Sequence, residues 1–170
     1  MKIKFILFGI AAIIAAFLVG VASSPYFQPS LMPVMQQIEE RESYNGLVDV
    51  NVTINGNTIF LSHECKAITF DVTDDQALSI FHGTEGTYSM RPLTHDIFID
   101  VADTFNINIT QVKIDRYEDG IYKARMTLKH ENKILDLDIR PSDAISIGSR
   151  LKLRFYVDEN VMNSKSIKVC

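Results

Sequence analysis

The feature that most constrains this chain is a run from Phe5 to Ala22 that holds no charged or strongly polar residue and follows directly on Lys2 and Lys4. At about 1.5 Å of rise per residue a helix over that run reaches roughly 27 Å, enough to cross the hydrocarbon core of a bilayer. With the lysines before it and Glu39, Glu40 and Glu42 as the first acidic cluster after it, the amino terminus is expected in the cytoplasm and the remainder on the extracytoplasmic side. Small residues at Gly20-Val21-Ala22 and Ser23-Ser24 also suit a signal peptidase. A cleaved signal and a secreted product are therefore the alternative, although the length of the run favours a single-pass anchor. Both readings put residues 5–22 in contact with a membrane.

The rest of the 170 residues has room for one globular domain. Three prolines between Pro25 and Pro33 describe an extended spacer. The expected division is residues 1–24 as anchor or signal, 25–45 as linker, 46–163 as the domain and 164–170 as a tail. Residues 25–170 carry 15 basic and 21 acidic side chains, a net of −6. That sign excludes a protein that grips nucleic acid along a whole face, so any phosphate contact has to be local.

Val48, Val50, Val52 and Ile54 alternate with polar residues as in a half-buried strand, and Asn55-Gly56 supplies a hairpin dipeptide leading to a partner over residues 57–63. A strand over 67–72 runs into a short helix that opens at Thr73-Asp74-Asp75 and stops at Gly83. Thr94 then caps a helix with Phe98, Val101, Ala102 and Phe105 on one stripe. Three β runs (109–117, 121–129, 134–139) form a meander. A helix opened by Arg140-Pro141-Ser142-Asp143 precedes a short strand at Phe155-Tyr156-Val157. The class expected is α+β, a mostly antiparallel sheet of hairpin plus meander with about three helices, preceded by a transmembrane helix.

Two helix openings resemble each other: Thr94-His95-Asp96 and Ser142-Asp143 each set a hydroxyl and a carboxylate where free backbone N–H groups and the dipole attract an anion. Arg140 adds a planar fork suited to phosphate, and a histidine beside it can move a proton. Capping alone accounts for the hydroxyls and acids, and Arg140 can simply pair with Asp96 or Asp143. Lys123 and Arg125 lie in a basic stretch of the meander that reads either as a phosphate-facing patch or as an ordinary solvated sheet face. Asp136 and Asp138 share one strand face as weak candidates for a divalent cation, an incomplete set without a third ligand. Aromatic residues suited to stacking on bases are not evident in the meander. Cys65 and Cys170 are the only cysteines; a free, buried Cys65 is the simpler expectation and a bridge is the alternative for a domain outside the cytoplasm.

Taken together, Arg91-Pro92-Leu93-Thr94-His95-Asp96, Gly120-Ile121-Tyr122-Lys123-Ala124, Leu137-Asp138-Ile139-Arg140-Pro141-Ser142-Asp143-Ala144-Ile145 and Tyr156-Val157-Asp158-Glu159 resemble the bifunctional nuclease domain family, whose members are described as cleaving DNA and RNA. The resemblance runs from about Val48 to Met162. It implies a compact, homo-oligomeric α+β domain with DNA or RNA as partner, hydrolysing phosphodiesters or, alternatively, serving as a non-catalytic nucleic-acid- or protein-binding module. By position, the candidates it implies are His95, Asp96, Arg140, Ser142 and Asp143; the roles inferred are catalysis for His95, Asp96, Arg140 and Asp143 and substrate binding for Ser142, to which the reading of the residues themselves adds Thr94, Lys123 and Arg125 as substrate binders. A divalent cation is a possible cofactor.

Overall fold

The structure, a computed structural model, describes residues 44–170, and Gly46–Cys170 forms one folded unit. The anchor and most of the linker lie outside the described residues. Among the described residues no helix is long and apolar enough to cross a membrane.

Four strands bracket the domain's first half: β1 (Leu47–Asn55), β2 (Thr58–His63), β3 (Lys66–Asp71) and, after two helices, β4 (Asn108–Glu118). The helices between them are α1 (Asp74–Glu85) and α2 (Thr94–Thr104). Next come β5 (Ile121–His130), β6 (Lys133–Ile139), α3 (Pro141–Arg150), β7 (Phe155–Asp158), α4 (Glu159–Lys165) and β8 (Ile167–Lys168). All eight strands belong to one sheet ordered β6-β5-β4-β7-β1-β2-β3-β8. Its pairings are antiparallel except β4 with β7. The α+β class and the antiparallel meander are thus as expected.

Register explains why the short β7 matters. Val50, Phe155, Val112, Met126 and Leu137 stand opposite one another across five strands, and so do Asp49, Tyr156, Lys113, Arg125 and Asp138 in the adjacent row. Because side chains alternate between faces, the first row lines the core and the second lies on the outer face. β7 therefore splices the meander to the amino-terminal hairpin. The sheet is also curled. Rings of Phe70 on β3 and Tyr122 on β5 meet at 5.7 Å, although four strands separate β3 from β5 in the sheet order.

Helix α3 lies on the apolar face. Its Gly148 is required there, because a Cβ at that position would stand 2.7 Å from the Phe155 ring. Helix α1 crosses α3 at Gly83, where a Cβ would meet Arg150, Ser146 and Ser149 at 3.1 Å. That close approach is why α1 runs through Gly83, which the sequence reading takes as its end, and stops at Gly86 in the left-handed conformation. The hairpin turn is displaced by one residue from the expected dipeptide: Asn55 pairs with Thr58, and only Gly56 has a positive φ in the turn.

Three other expectations are corrected. Four helices occur among the described residues, since Asp158 caps α4 through bonds from the Asn160 and Val161 N–H groups. Residues 164–170 are no tail, for β8 pairs with β3. Cys65 is exposed, not free and buried, and it is bonded to Cys170. A strand of two residues has little hold on a sheet edge by itself, and the disulfide, with the Val169 N–H donated to the Cys65 carbonyl at 3.0 Å, fixes it. The bridge spans 105 residues of sequence, and in the chain-entropy account closing so long a loop stabilises by about 2–4 kcal/mol or more. Cys170→Ser should lower the midpoint of urea unfolding, with a loss of unfolding free energy of that amount, and reductant should lower the wild type to the same value. An unchanged midpoint would refute a stabilising bridge.

Candidate functional site

The tips of α2 and α3 come together. His95, in the first turn of α2, places Nε2 3.4 Å from Oδ1 of Asp143 in the first turn of α3. Arg140, the N-cap residue of α3, donates from Nε to Asp143 Oδ2 at 2.7 Å and from Nη2 to Oδ1 at 3.2 Å. One carboxylate therefore serves both the imidazole and the guanidinium. Arg140 is 72% exposed and Asp143 19%, so the cation faces solvent while its anchor is sheltered.

On its other side the His95 ring meets α1. Nδ1 lies 2.8 Å from Ser79 Oγ. The tautomer sets the direction of that bond: with the proton on Nε2, facing Asp143, the Ser79 hydroxyl donates to Nδ1, and with the proton on Nδ1 the hydroxyl accepts it and Nε2 is the basic nitrogen. Burial lowers the His95 pKa below its ordinary 6.5, outweighing the upward pull of Asp143. The ring is consequently neutral at physiological pH. Ser79 is only 4% exposed, so it orients the imidazole and is too enclosed to be a nucleophile.

Asp96, expected at the catalytic centre, has a different place. Its Oδ1 accepts from Arg150 Nε and its Oδ2 from the Leu93 N–H at 2.7 Å. Arg150 also donates through Nη1 to the carbonyls of Ser79 and Ser146 at 2.9 and 2.8 Å. Both side chains are largely buried, at 11% and 13% exposure. Burial pushes the Asp96 carboxyl up, but the hydrogen bonds from Arg150 and Leu93 outweigh it and hold the group below its ordinary value. Asp96 thus stands one step along the helix from His95 with both carboxylate oxygens engaged.

The other candidates divide. Thr94 begins α2 and is exposed, while the cap position is Leu93, whose N–H is taken by Asp96. Ser142 is buried in the first turn of α3. The helix is capped at Arg140 with Pro141 following. Lys123 and Arg125 lie on the outer sheet face, opposite Arg116 and Lys113, and so on the reverse of the sheet from α3. Arg125 is bonded to Asp115 at 2.7 Å. Asp136 and Asp138 are on that same outer face, where Asp136 accepts from Thr127 Oγ1 at 2.6 Å and Asp138 stands opposite Arg125. No group of three His, Cys, Asp or Glu side chains able to hold a metal ion occurs among the described residues. The donor set at Asp136 and Asp138 does not fit a resident cation.

Ser79 and Arg150 were not singled out from sequence. Ser79 is a small polar residue on the buried side of α1, and Arg150 reads as a last-turn cation complementing the α3 dipole. Removing the charge of Asp96 would leave Arg150 buried without its counterion, at a cost of about 3–5 kcal/mol. Asp96→Asn should therefore lower the thermal midpoint sharply. Because the folded pKa of Asp96 is depressed, its contribution is complete above 3.8 and fades as pH falls through the lower folded value. An Asn variant as stable as wild type at neutral pH would refute this role.

Residues 59–170 match the family profile described as "Bifunctional nuclease domain". Two proteins from strains of Mycobacterium tuberculosis, each named only as uncharacterized, are 28% identical over 91 residues, 54% of this chain. The chain spans about half the length of these relatives, 54% of each. The aligned family profile includes both helix openings whose tips meet at Asp143, and the chain belongs to the bifunctional nuclease domain family.

Proposed function

We propose that the domain binds and hydrolyses phosphodiester bonds of DNA or RNA at the junction of α2 and α3. The observation that carries this reading is the single Asp143 carboxylate shared by His95 and Arg140. In it, Arg140 receives the phosphate on N–H groups not engaged by Asp143, aided by the positive ends of α2 and α3. Nε2 of His95 sits at 3.4 Å from its carboxylate, beyond normal hydrogen-bond length, and takes up the proton in the tautomer whose Nδ1–H is donated to the Ser79 hydroxyl. Asp143 orients both groups and stabilises the imidazolium that forms. No step requires Asp136 or Asp138.

The remainder of the reading concerns setting. Residues 5–22 tether the chain to a membrane with the domain on the extracytoplasmic side. The exposed Cys65–Cys170 bridge supports that placement, because disulfides persist in oxidising compartments. Ile97, Val101 and Phe105 form an exposed apolar stripe along α2, which supports a homo-oligomer. Light scattering on the full-length chain in detergent should give more than one copy, and Val101→Lys should reduce it to one; a monomeric wild type would remove this part of the reading.

Purified full-length chain should degrade single-stranded DNA or RNA, with His95→Ala slowing cleavage by about 10²-fold or more and Arg140→Ala mainly weakening binding. Since neutral His95 accepts the proton and its pKa is lowered, activity should fall on the acid side with a midpoint below pH 6.5. Equal cleavage by wild type and both variants would sink the assignment. A second reading, a non-catalytic nucleic-acid-binding module, is favoured by the engagement of both His95 nitrogens. It is distinguished by saturable binding without cleavage.

A further inference from the structure

Beside the Arg140 end of the site, the curled sheet leaves an open cleft of about 280 Å³. Its walls come from four elements: Phe70 at the end of β3, Gln76 on α1, Ile121 and Tyr122 at the start of β5, and Arg140 and Pro141 at the start of α3. The volume lies just under the roughly 300–1,000 Å³ of small-ligand pockets, which suits one flat ring system. The walls are mostly apolar, with two rings in contact, Phe70 and Tyr122, and Tyr117 set edge-on to Tyr122 at 4.8 Å. So the meander carries aromatic surface, although it holds no base-stacking motif. Ile121 is exposed in the cleft.

Four polar side chains also line it, Gln76, Arg140, Asp71 and Ser142. The Gln76 amide oxygen accepts from the Thr73 N–H at 3.0 Å, which turns the amide nitrogen outward as a donor. Arg140 is common to the cleft and to the Asp143 pair. On α1, Gln76 in the cleft and Ser79 at His95 are three residues apart, about 4.5 Å of rise, so cleft and candidate site are immediate neighbours along one groove.

We propose that this cleft is a nucleobase subsite: one unpaired base packs against Tyr122, Phe70 and Ile121 with Gln76 at its polar edge, while its phosphate rests on Arg140. The proposal rests on the reading of Arg140 and His95 as the phosphodiester site and adds the substrate form. A base in a duplex is covered on both faces and cannot enter, so the site takes single strands or frayed ends. Stacking on aromatic and apolar walls is tolerant of base identity.

The test is fluorescence polarisation with the full-length chain in detergent. The probes are a short fluorescein-labelled oligothymidylate, an abasic sugar-phosphate oligomer of equal length and a hairpin duplex of equal charge. The wild type should bind the oligothymidylate about tenfold more tightly than the abasic oligomer and more tightly than the duplex. Ile121→Ala and Tyr122→Leu, both checked for native circular dichroism, should lose that preference while keeping their affinity for the abasic oligomer. Equal wild-type affinity for the two oligomers, or preference retained in both variants, overturns the base subsite and leaves the phosphodiester reading standing. Failure to bind either oligomer overturns both.

Discussion

The buried pair of Arg150 and Asp96 is the contact on which the arrangement of the helices depends. Arg150 leaves the last turn of α3, reaches the carboxylate in the first turn of α2, and hydrogen-bonds the Ser79 carbonyl of α1. Three helices that are separate in sequence are thereby held at one point of low exposure. Such a pair contributes little net stability compared with an apolar cluster, because desolvating two charges offsets most of their attraction. What it provides is direction: a planar guanidinium that holds the carboxylate on Nε and two carbonyls on Nη1 tolerates few geometries, and His95 is adjacent to Asp96 on the same helical turn. Fixing Asp96 aims His95 at Asp143.

The sheet adds a second constraint, the separation of its two faces. A polar row from Asp49 to Asp138 and an apolar row from Val50 to Leu137 lie next to each other in register. A slip of one residue in β7 would exchange them across the centre of the sheet. Gly148 then sets how near α3 can come to Phe155, and with it the depth at which Asp143 sits. The outer face, by contrast, is an ordinary solvated surface in which Arg125 and Asp115 neutralise each other. Basic residues that alternate in the meander are therefore on the reverse of the sheet from the helix tips.

These facts show which parts of the molecule could be read from the residues and which could not. Period-two alternation in β1 and the turns around Gly56 and Gly120 are local, so the hairpin and meander were legible. The two motifs beginning at Arg91 and at Leu137 were legible as helix openings, and His95, Arg140 and Asp143 do converge. Ser79 and Arg150 were not, because each has a complete local explanation, a small residue on a buried stripe and a cation at a helix end. The pairing of β8 with β3 and the bridge from Cys65 to Cys170 depend on contacts more than a hundred residues apart. No local pattern encodes them.

A domain with a net charge of −6 over residues 25–170 has to explain how it would hold a polyanion at all. At the helix junction Arg150 is matched by Asp96 and Arg140 by Asp143, and the buried His95 is held neutral. The local sum of side-chain charges is therefore close to zero. What remains positive are the N-terminal ends of α2 and α3, each equivalent to roughly half a charge, and the outward N–H groups of Arg140. That is enough for one phosphate and too little for a track of them, so a site of this kind gains little from counterion release. Most of its affinity for a strand must then come from uncharged contacts beside the phosphate, and the apolar cleft that Arg140 borders is the surface within reach.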